Sequence, residues 1–271
     1  MALVTLKGAF GSYGVGDLLA TTQTYRLYLC QEVRTGERFL MQVAATLESS
    51  GGLDRAAFLL NRLKATADTY SVEYTARNEG KHLHYDRLYP NVVDSFVSPE
   101  QGKRRINVLS LTDVDSILRV LPLSNLLVKD RLRIDPETSA WVMGRLLKLL
   151  AFVHEEGIAI QALTANNILL DIEQHFAVTL DWSNARMFPL TVPAQYAAID
   201  IAYAAKAVFA AIGGSVINGT WSYEGHIPYV QLLRRFTQGK ETNAERAMDT
   251  FYELVRREYG KTFHPFTTLP L

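Results

Sequence analysis

Six histidines and one cysteine, Cys30, are the side chains of this chain best suited to metal or nucleophilic chemistry. Both kinds of chemistry need company: a third and fourth ligand for a zinc ion, or a base beside a nucleophile. His82 and His84 flank a leucine and would share one side of a strand, which gives two ligands and no third. There is no His-Glu-x-x-His, no Cys-x-x-Cys pair and no serine–histidine–aspartate signature in its expected setting. A different stretch stands out, GIAIQALTANNILLD at 157–171. It reads as a polar loop between two apolar runs, a setting in which an enzyme can hold a base, yet it contains no acid before Asp171.

The elements around that loop are marked by their periodicity. Upstream, Asp135 is placed as an N-cap with Pro136 at the first helical position. Val142, Leu146, Leu149, Leu150 and Val153 follow at helical spacing, His154 lies near the C-terminal carbonyls, and Gly157 closes the helix. Downstream, NILLDI and FAVTLDW read as a short pair of strands, IDIAYAAKAVFAAIGG as a hydrophobic helix, and 228–238 and 243–259 as two more helices.

The first third has a different rhythm. YGVGDLLA, the turn TTQT and the alternating YRLYLCQEV suggest a strand pair. RTGE supplies a hairpin turn, and RFLMQVAA a third strand. LDRAAFLLNRLKATADTY, after Gly51 and Gly52, has helical spacing. YPNVVDSFV and KRRINVLSL bracket the loop SPEQG as two further strands. The polar stretch 65–89 is expected to extend the helix and end in a solvated loop. Segregation of strands from helices predicts an α+β chain in two lobes, 1–112 and 113–271.

Bulk properties narrow the function. Lys plus Arg and Asp plus Glu are equal at 28 each, so no electrostatic argument favours nucleic acid or an anionic membrane as partner. One cysteine excludes an intrachain disulfide and fits a reducing compartment. The apolar helix carries Asp200 and Lys206, which suits a buried helix better than a membrane span. These features lead to the expectation of a cytoplasmic protein with neither nucleic acid nor membrane as partner.

In order and spacing, the helix 135–155, the loop 160–167, the strand pair and Asp181-Trp182-Ser183 resemble the protein kinase family over nearly the whole chain. The resemblance lays the family's His-Arg-Asp-Leu-x-x-x-Asn loop on Ile160, Gln161, Ala162, Leu163, Thr164, Ala165, Asn166 and Asn167, and its Asp-Phe-Gly on Asp181, Trp182 and Ser183. Ala162 then stands where the family has its catalytic base. Asn167 and Asp181 match the two metal ligands, and Asp200 the acid that anchors the loop backbone. In the first lobe, Gln42 replaces the strand lysine and Ala56 the helix glutamate, with Asp54 the nearest acid. The phosphate-covering glycines fall on Ala20, Thr22 and Tyr25, and Leu27 and Leu40 match the apolar lid over adenine.

This resemblance implies a protein kinase-like fold emptied of the charges that move phosphate. Leu27, Leu40 and Gln42 would line a vestigial nucleotide pocket; Leu27 and Leu40 read equally as ordinary sheet core. Asn167 and Asp181 read either as residual Mg²⁺ ligands or as loop-binding side chains. The implied function is a catalytically inactive, kinase-like scaffold or allosteric partner for another protein, with no cofactor expected. The alternative is a nucleotide-binding phosphotransferase or nucleotidyl transferase, using ATP with Mg²⁺ held by Asn167 and Asp181. Arg26 is the nearest candidate cation for that alternative, although strand alternation turns it away from Leu27.

Overall fold

The computed structural model describes residues 4–78, 84–260 and 264–271. His82 therefore lies outside the described residues. The chain divides into two compact units, one of residues 1–118 with 181–184, the other of residues 119–180 with 185–271.

The first unit is built on a six-stranded antiparallel sheet. Its strands are β1 (Thr5–Lys7), β2 (Ser12–Thr21), β3 (Tyr25–Glu32), β4 (Arg38–Ala44), β5 (Asn91–Ser98) and β6 (Arg104–Ser110), in the order β1-β2-β3-β4-β6-β5. Five of these match the strand-like runs of the sequence; β1 is an addition, too short to announce itself by alternation. The register places Tyr25 opposite Ala44, Leu27 opposite Gln42 and Leu29 opposite Leu40, so these side chains share one face. Arg26, Tyr28 and Cys30, opposite Val43, Met41 and Phe39, point the other way. There a core gathers from Leu6, Tyr13, Cys30, Phe39, Met41, Val43, Phe96, Ile106 and Val108. The sheet curls to enclose it. Asp94 on the edge strand β5 accepts hydrogen bonds from the Phe10 amide at 3.0 Å and the Tyr13 hydroxyl at 3.2 Å, reaching across to β2 and the turn before it. Cys30 is buried among these groups, and desolvation pushes its thiol up to about 12, which suits an inert core residue and not a nucleophile.

Helix α1 (Ser50–Arg77) lies against the opposite face. Leu53, Ala56, Leu59, Leu60 and Leu63 form its buried stripe. Asn107, paired with Gln42 across β6 and β4, donates its amide to the Leu53 carbonyl at 2.9 Å. The helix is longer than its apolar pattern at both ends. It begins at Ser50 and takes in Gly51 and Gly52; a β-carbon at Gly52 would lie 3.2 Å from the Ser183 carbonyl oxygen, so the glycine permits a close backbone approach. It runs on through 71–77, as the expected extension requires, where polar residues dilute the stripe but Glu73, Ala76 and Arg77 remain good helix formers.

The second unit is mainly helical. After β7 (Leu121–Pro122), α2 (Leu123–Val128) and β8 (Leu132–Ile134) comes α3 (Pro136–Glu155), the central helix. Its cap is the one the sequence predicts: Asp135 accepts from the Glu137 amide at 2.8 Å and the Thr138 amide at 3.1 Å. Gly157 ends the helix with φ +71°, and any β-carbon there would strike the Phe188 carbonyl oxygen at 2.6 Å. β9 (Ile158–Ala159) leads into the polar loop, and β10 (Ile168–Asp171) pairs antiparallel with β11 (Phe176–Thr179). β12 (Arg186–Met187) pairs with β9. Then follow α4 (Ala194–Ala211), α5 (Ile227–Thr237), α6 (Ala244–Tyr259) and β13 (Thr268–Pro270), which returns to β8. Helix α4 starts at Ala194, so Asp200 stands in its second turn and not at its opening as the sequence suggested. Together these elements make a protein kinase-like, two-lobed α+β fold, with a strand-rich first lobe carrying one long helix and a mainly helical second lobe.

Candidate functional site

In the strand-rich unit, the positions that match the phosphate-covering glycines form the turn between β2 and β3. Thr22 organises this turn. Its hydroxyl oxygen accepts from the Tyr25 amide at 2.9 Å and the Thr24 amide at 3.2 Å, and its own amide donates to the Tyr25 carbonyl at 2.9 Å. Backbone amides in such a turn are what a glycine-rich loop offers to phosphate oxygens. Here two of them are already taken by a side chain of the same turn. Gly14 and Gly16 lie inside β2; Gly14 pairs with Gln31, and a β-carbon at Gly16 would come within 3.0 Å of the Leu29 carbonyl oxygen. Their role is therefore sheet geometry.

Tyr25 is 4% exposed and shares a strand face with Leu27, Leu40 and Gln42, exposed by 7%, 4% and 2%. Burial pushes the phenol well above its ordinary range; the Asp181 carboxylate adds to this, and the Gln42 amide opposes it. Tyr25, Gln42 and Asp181 are thus near neighbours. Among the described residues the buried Gln42 amide nitrogen has no hydrogen-bond partner of good geometry. Glutamine supplies no charge here, and Ala56, 2% exposed on α1, supplies none either. Asp54, the nearest acid, is committed to Arg105 at 2.6 Å. Arg26 is exposed on the far side of β3, as alternation predicts.

The segment Asp181–Asn184 packs with this unit. Asp181 accepts from the Ser183 amide at 2.9 Å. The Ser183 hydroxyl donates to the Thr24 hydroxyl at 3.2 Å, and its carbonyl accepts from the Arg55 guanidinium at 2.7 Å. Sequence reasoning missed Arg55. It is the neighbour of Ala56, and its signal was a cation on the helix at the very turn where the resemblance called for an acid. Trp182 is 1% exposed and meets Tyr89 edge-to-face, ring centroids 6.2 Å apart.

Burial raises the Asp181 carboxyl above its ordinary 3.8, with the two Ser183 hydrogen bonds opposing. A carboxyl raised in the folded state contributes stability that is full below the unfolded value and is lost as pH rises through the folded one. At pH 7 the ionised group is thus a net cost, and Asp181→Asn, which keeps an acceptor for the Ser183 amide, should raise the melting temperature. The gain should vanish below about pH 4, where the native acid is protonated in both states. Thermal unfolding of both proteins between pH 3.5 and 8 checks this; a melting temperature lowered at pH 7 would contradict it.

In the helical unit the polar loop is held by Asp200, whose carboxylate is fully buried. It accepts from the Ile160 amide at 2.8 Å, the Gln161 amide at 2.7 Å and His154 Nε2 at 3.0 Å. His154 therefore serves the loop as well as the helix end. Gln161 takes φ +64°, and its side-chain amide also reaches Asp200 at 3.3 Å. Ala162 follows, with no proton acceptor on its side chain. Asn167 donates its amide to the Ala162 carbonyl at 2.7 Å, and its backbone amide to the Thr164 carbonyl at 2.9 Å, closing the loop on itself. Among the described residues, no three His, Cys, Asp or Glu side chains are grouped to hold a metal ion.

No family model and no curated protein sequence matches the chain. Solved structures do. The chain is similar to vaccinia related kinase 3, at 14% identity with a TM-score of 0.65 over 95% of this chain and 91% of that one. It is similar too to a double mutant of the PknI kinase domain of Mycobacterium tuberculosis, at 13% identity with a TM-score of 0.57 over 93% of this chain and 98% of that one. At such identities the likeness establishes the protein kinase-like fold and leaves the chemistry to the residues. No helix among the described residues is long and apolar enough to cross a membrane.

Proposed function

We propose that this chain is a catalytically inactive protein kinase-like protein, a pseudokinase, that works by binding another protein as a scaffold or allosteric partner in the cytoplasm. The observation that carries this reading is the Thr22–Tyr25 turn. The amides that would grip phosphate are bonded to the Thr22 hydroxyl, and the aromatic ring that follows is buried beside Gln42 and Asp181. The remaining departures support the same conclusion. Phosphoryl transfer depends on neutralising charge on the nucleotide and on a base for the incoming hydroxyl. Gln42 and Ala56 replace the charged pair, and Ala162 replaces the base. These residues fit an ATP–Mg²⁺ group poorly, because Gln42 and Ala56 bring no charge to offset the triphosphate and Ala162 brings no proton acceptor. What the fold retains is two packed units and their surfaces.

The competing reading, a nucleotide-binding phosphotransferase or nucleotidyl transferase, has one specific feature in its favour: Asp181 keeps its carboxyl despite the cost of burying it. A thermal-shift titration separates the two. With ATP at about 5 mM, alone or with Mg²⁺ or Mn²⁺, the melting temperature should stay where it is. A ligand present at a hundred times its dissociation constant would add about 2.7 kcal/mol, a rise of several degrees for a chain of this size. A metal-dependent rise that Asp181→Ala abolishes would replace the scaffold reading with the enzymatic one.

A further inference from the structure

Helices α3 and α6 pack together in the helical unit and leave a cavity of about 320 Å³ between them, within the range of small-molecule sites. Glu137, Ala140, Trp141 and Arg145 line it from one stripe of α3. Tyr252, Val255 and Tyr259 line it from one stripe of α6, and His175 and His264 contribute from flanking segments. The walls are thus largely aromatic. They are also positioned with some care: a β-carbon at Gly144 would come within 2.9 Å of the Tyr252 hydroxyl, so the absence of a side chain on α3 is what lets Tyr252 lie over the helix.

The charged groups of the cavity decide what it could hold. Glu137 is engaged by His264 Nδ1 at 3.0 Å, and the other nitrogen of that ring faces Asp135 at 3.3 Å. The Tyr259 hydroxyl is bonded to His226 at 3.1 Å. Arg145 differs: among the described residues no carboxylate pairs with it, and burial raises the neighbouring Tyr252 hydroxyl while Arg145 and Arg256 oppose that rise. A cationic guest would meet aromatic faces but also an unpaired guanidinium, and the one lining carboxylate is already shared with His264. An anionic guest would meet a fork of uncommitted N–H donors suited to two oxygens at once.

We infer that this cavity is a binding site for a small aromatic carboxylate, its ring between Trp141, Tyr252 and Tyr259 and its carboxylate on Arg145. The site belongs to the helical unit alone and does not depend on the inactive-kinase reading. Indole-3-acetate is a suitable probe, followed by saturation-transfer NMR on the full chain. A molecule of about a dozen heavy atoms at ordinary ligand efficiency should bind with a dissociation constant of roughly 0.1–1 mM. On the unaltered protein, indole-3-acetamide should bind at least ~5-fold more weakly, and tryptamine more weakly still. Arg145→Gln should cost the acid a similar factor while leaving the melting temperature of the free protein within about 2 °C, and Arg145→Lys should fall between. Equal binding of acid and amide, preference for tryptamine, or no binding of the acid at about 5 mM would overturn the inference. The acid–amide comparison keeps the test decisive even if the Arg145 variants fold poorly.

Discussion

Asp200→Ala should cost the protein about 3–5 kcal/mol of unfolding free energy, a large part of what a domain possesses. The carboxylate is fully buried and is the common acceptor for the Ile160 amide, the Gln161 amide and His154 Nε2. Truncation leaves those donors facing an apolar hole, and a buried donor without a partner loses about 1–3 kcal/mol. The loop has a further reason to depend on it. Gln161 sits at φ +64°, a conformation unfavourable for a residue with a side chain, and two of its own nitrogens are held by the same carboxylate. Asp200→Asn keeps the volume but replaces one acceptor oxygen with a donor, so its cost should be about half as large. Urea unfolding followed by circular dichroism measures both. A loss below about 1 kcal/mol for the alanine variant, with an unchanged m-value, would show that the loop holds its shape without this anchor.

Asp200 also shows what the sequence could and could not convey. The acid was recognisable because a charge inside so apolar a helix needs a reason. Its place in the second turn was hidden, because Ala194–Ala198 carry no N-cap signal and the helix opens after Pro193 with no side-chain cap. Where a local signal exists, prediction and structure agree: Asp135 and Pro136 start α3, Gly157 ends it, and the alternation of 25–30 sorts Leu27 from Arg26. Where the determinant is another segment distant in sequence, the signal disappears. Gly52, inside a helix, matters because Ser183 approaches it, and the role of Arg55 depends on that same distant carbonyl. The candidate site divides in the same way. Ala162, Gln42 and Ala56 can be read directly, since the sequence alone shows that none of them carries a charge. The Thr22 hydroxyl that occupies the turn's amides could not be, because a threonine in a polar turn looks the same whether it faces water or caps the backbone.

Trp182→Ala should be similarly damaging, costing about 3–5 kcal/mol, and the reason bears on function. In the protein kinases that the chain resembles, the matching position carries a phenylalanine whose packing separates active from inactive arrangements. Here the larger indole is 1% exposed against Tyr89, while its neighbour Ser183 is bonded to Arg55 through its carbonyl and to Thr24 through its hydroxyl. A segment held at three adjacent points has little freedom to alternate. Trp182→Phe tests the distinction. A packed structural indole predicts a loss of roughly 1–2 kcal/mol from the smaller ring, as in other large-to-small core changes. A segment able to rearrange would absorb the change by repacking, with a loss near zero. The alanine variant should also relieve the burial that raises the Asp181 carboxyl, so the pH-dependent advantage of Asp181→Asn should shrink when the two substitutions are combined. If that advantage survives undiminished in the double variant, the carboxyl owes its environment to Tyr25 and the turn above it, and Trp182 is an independent part of the core.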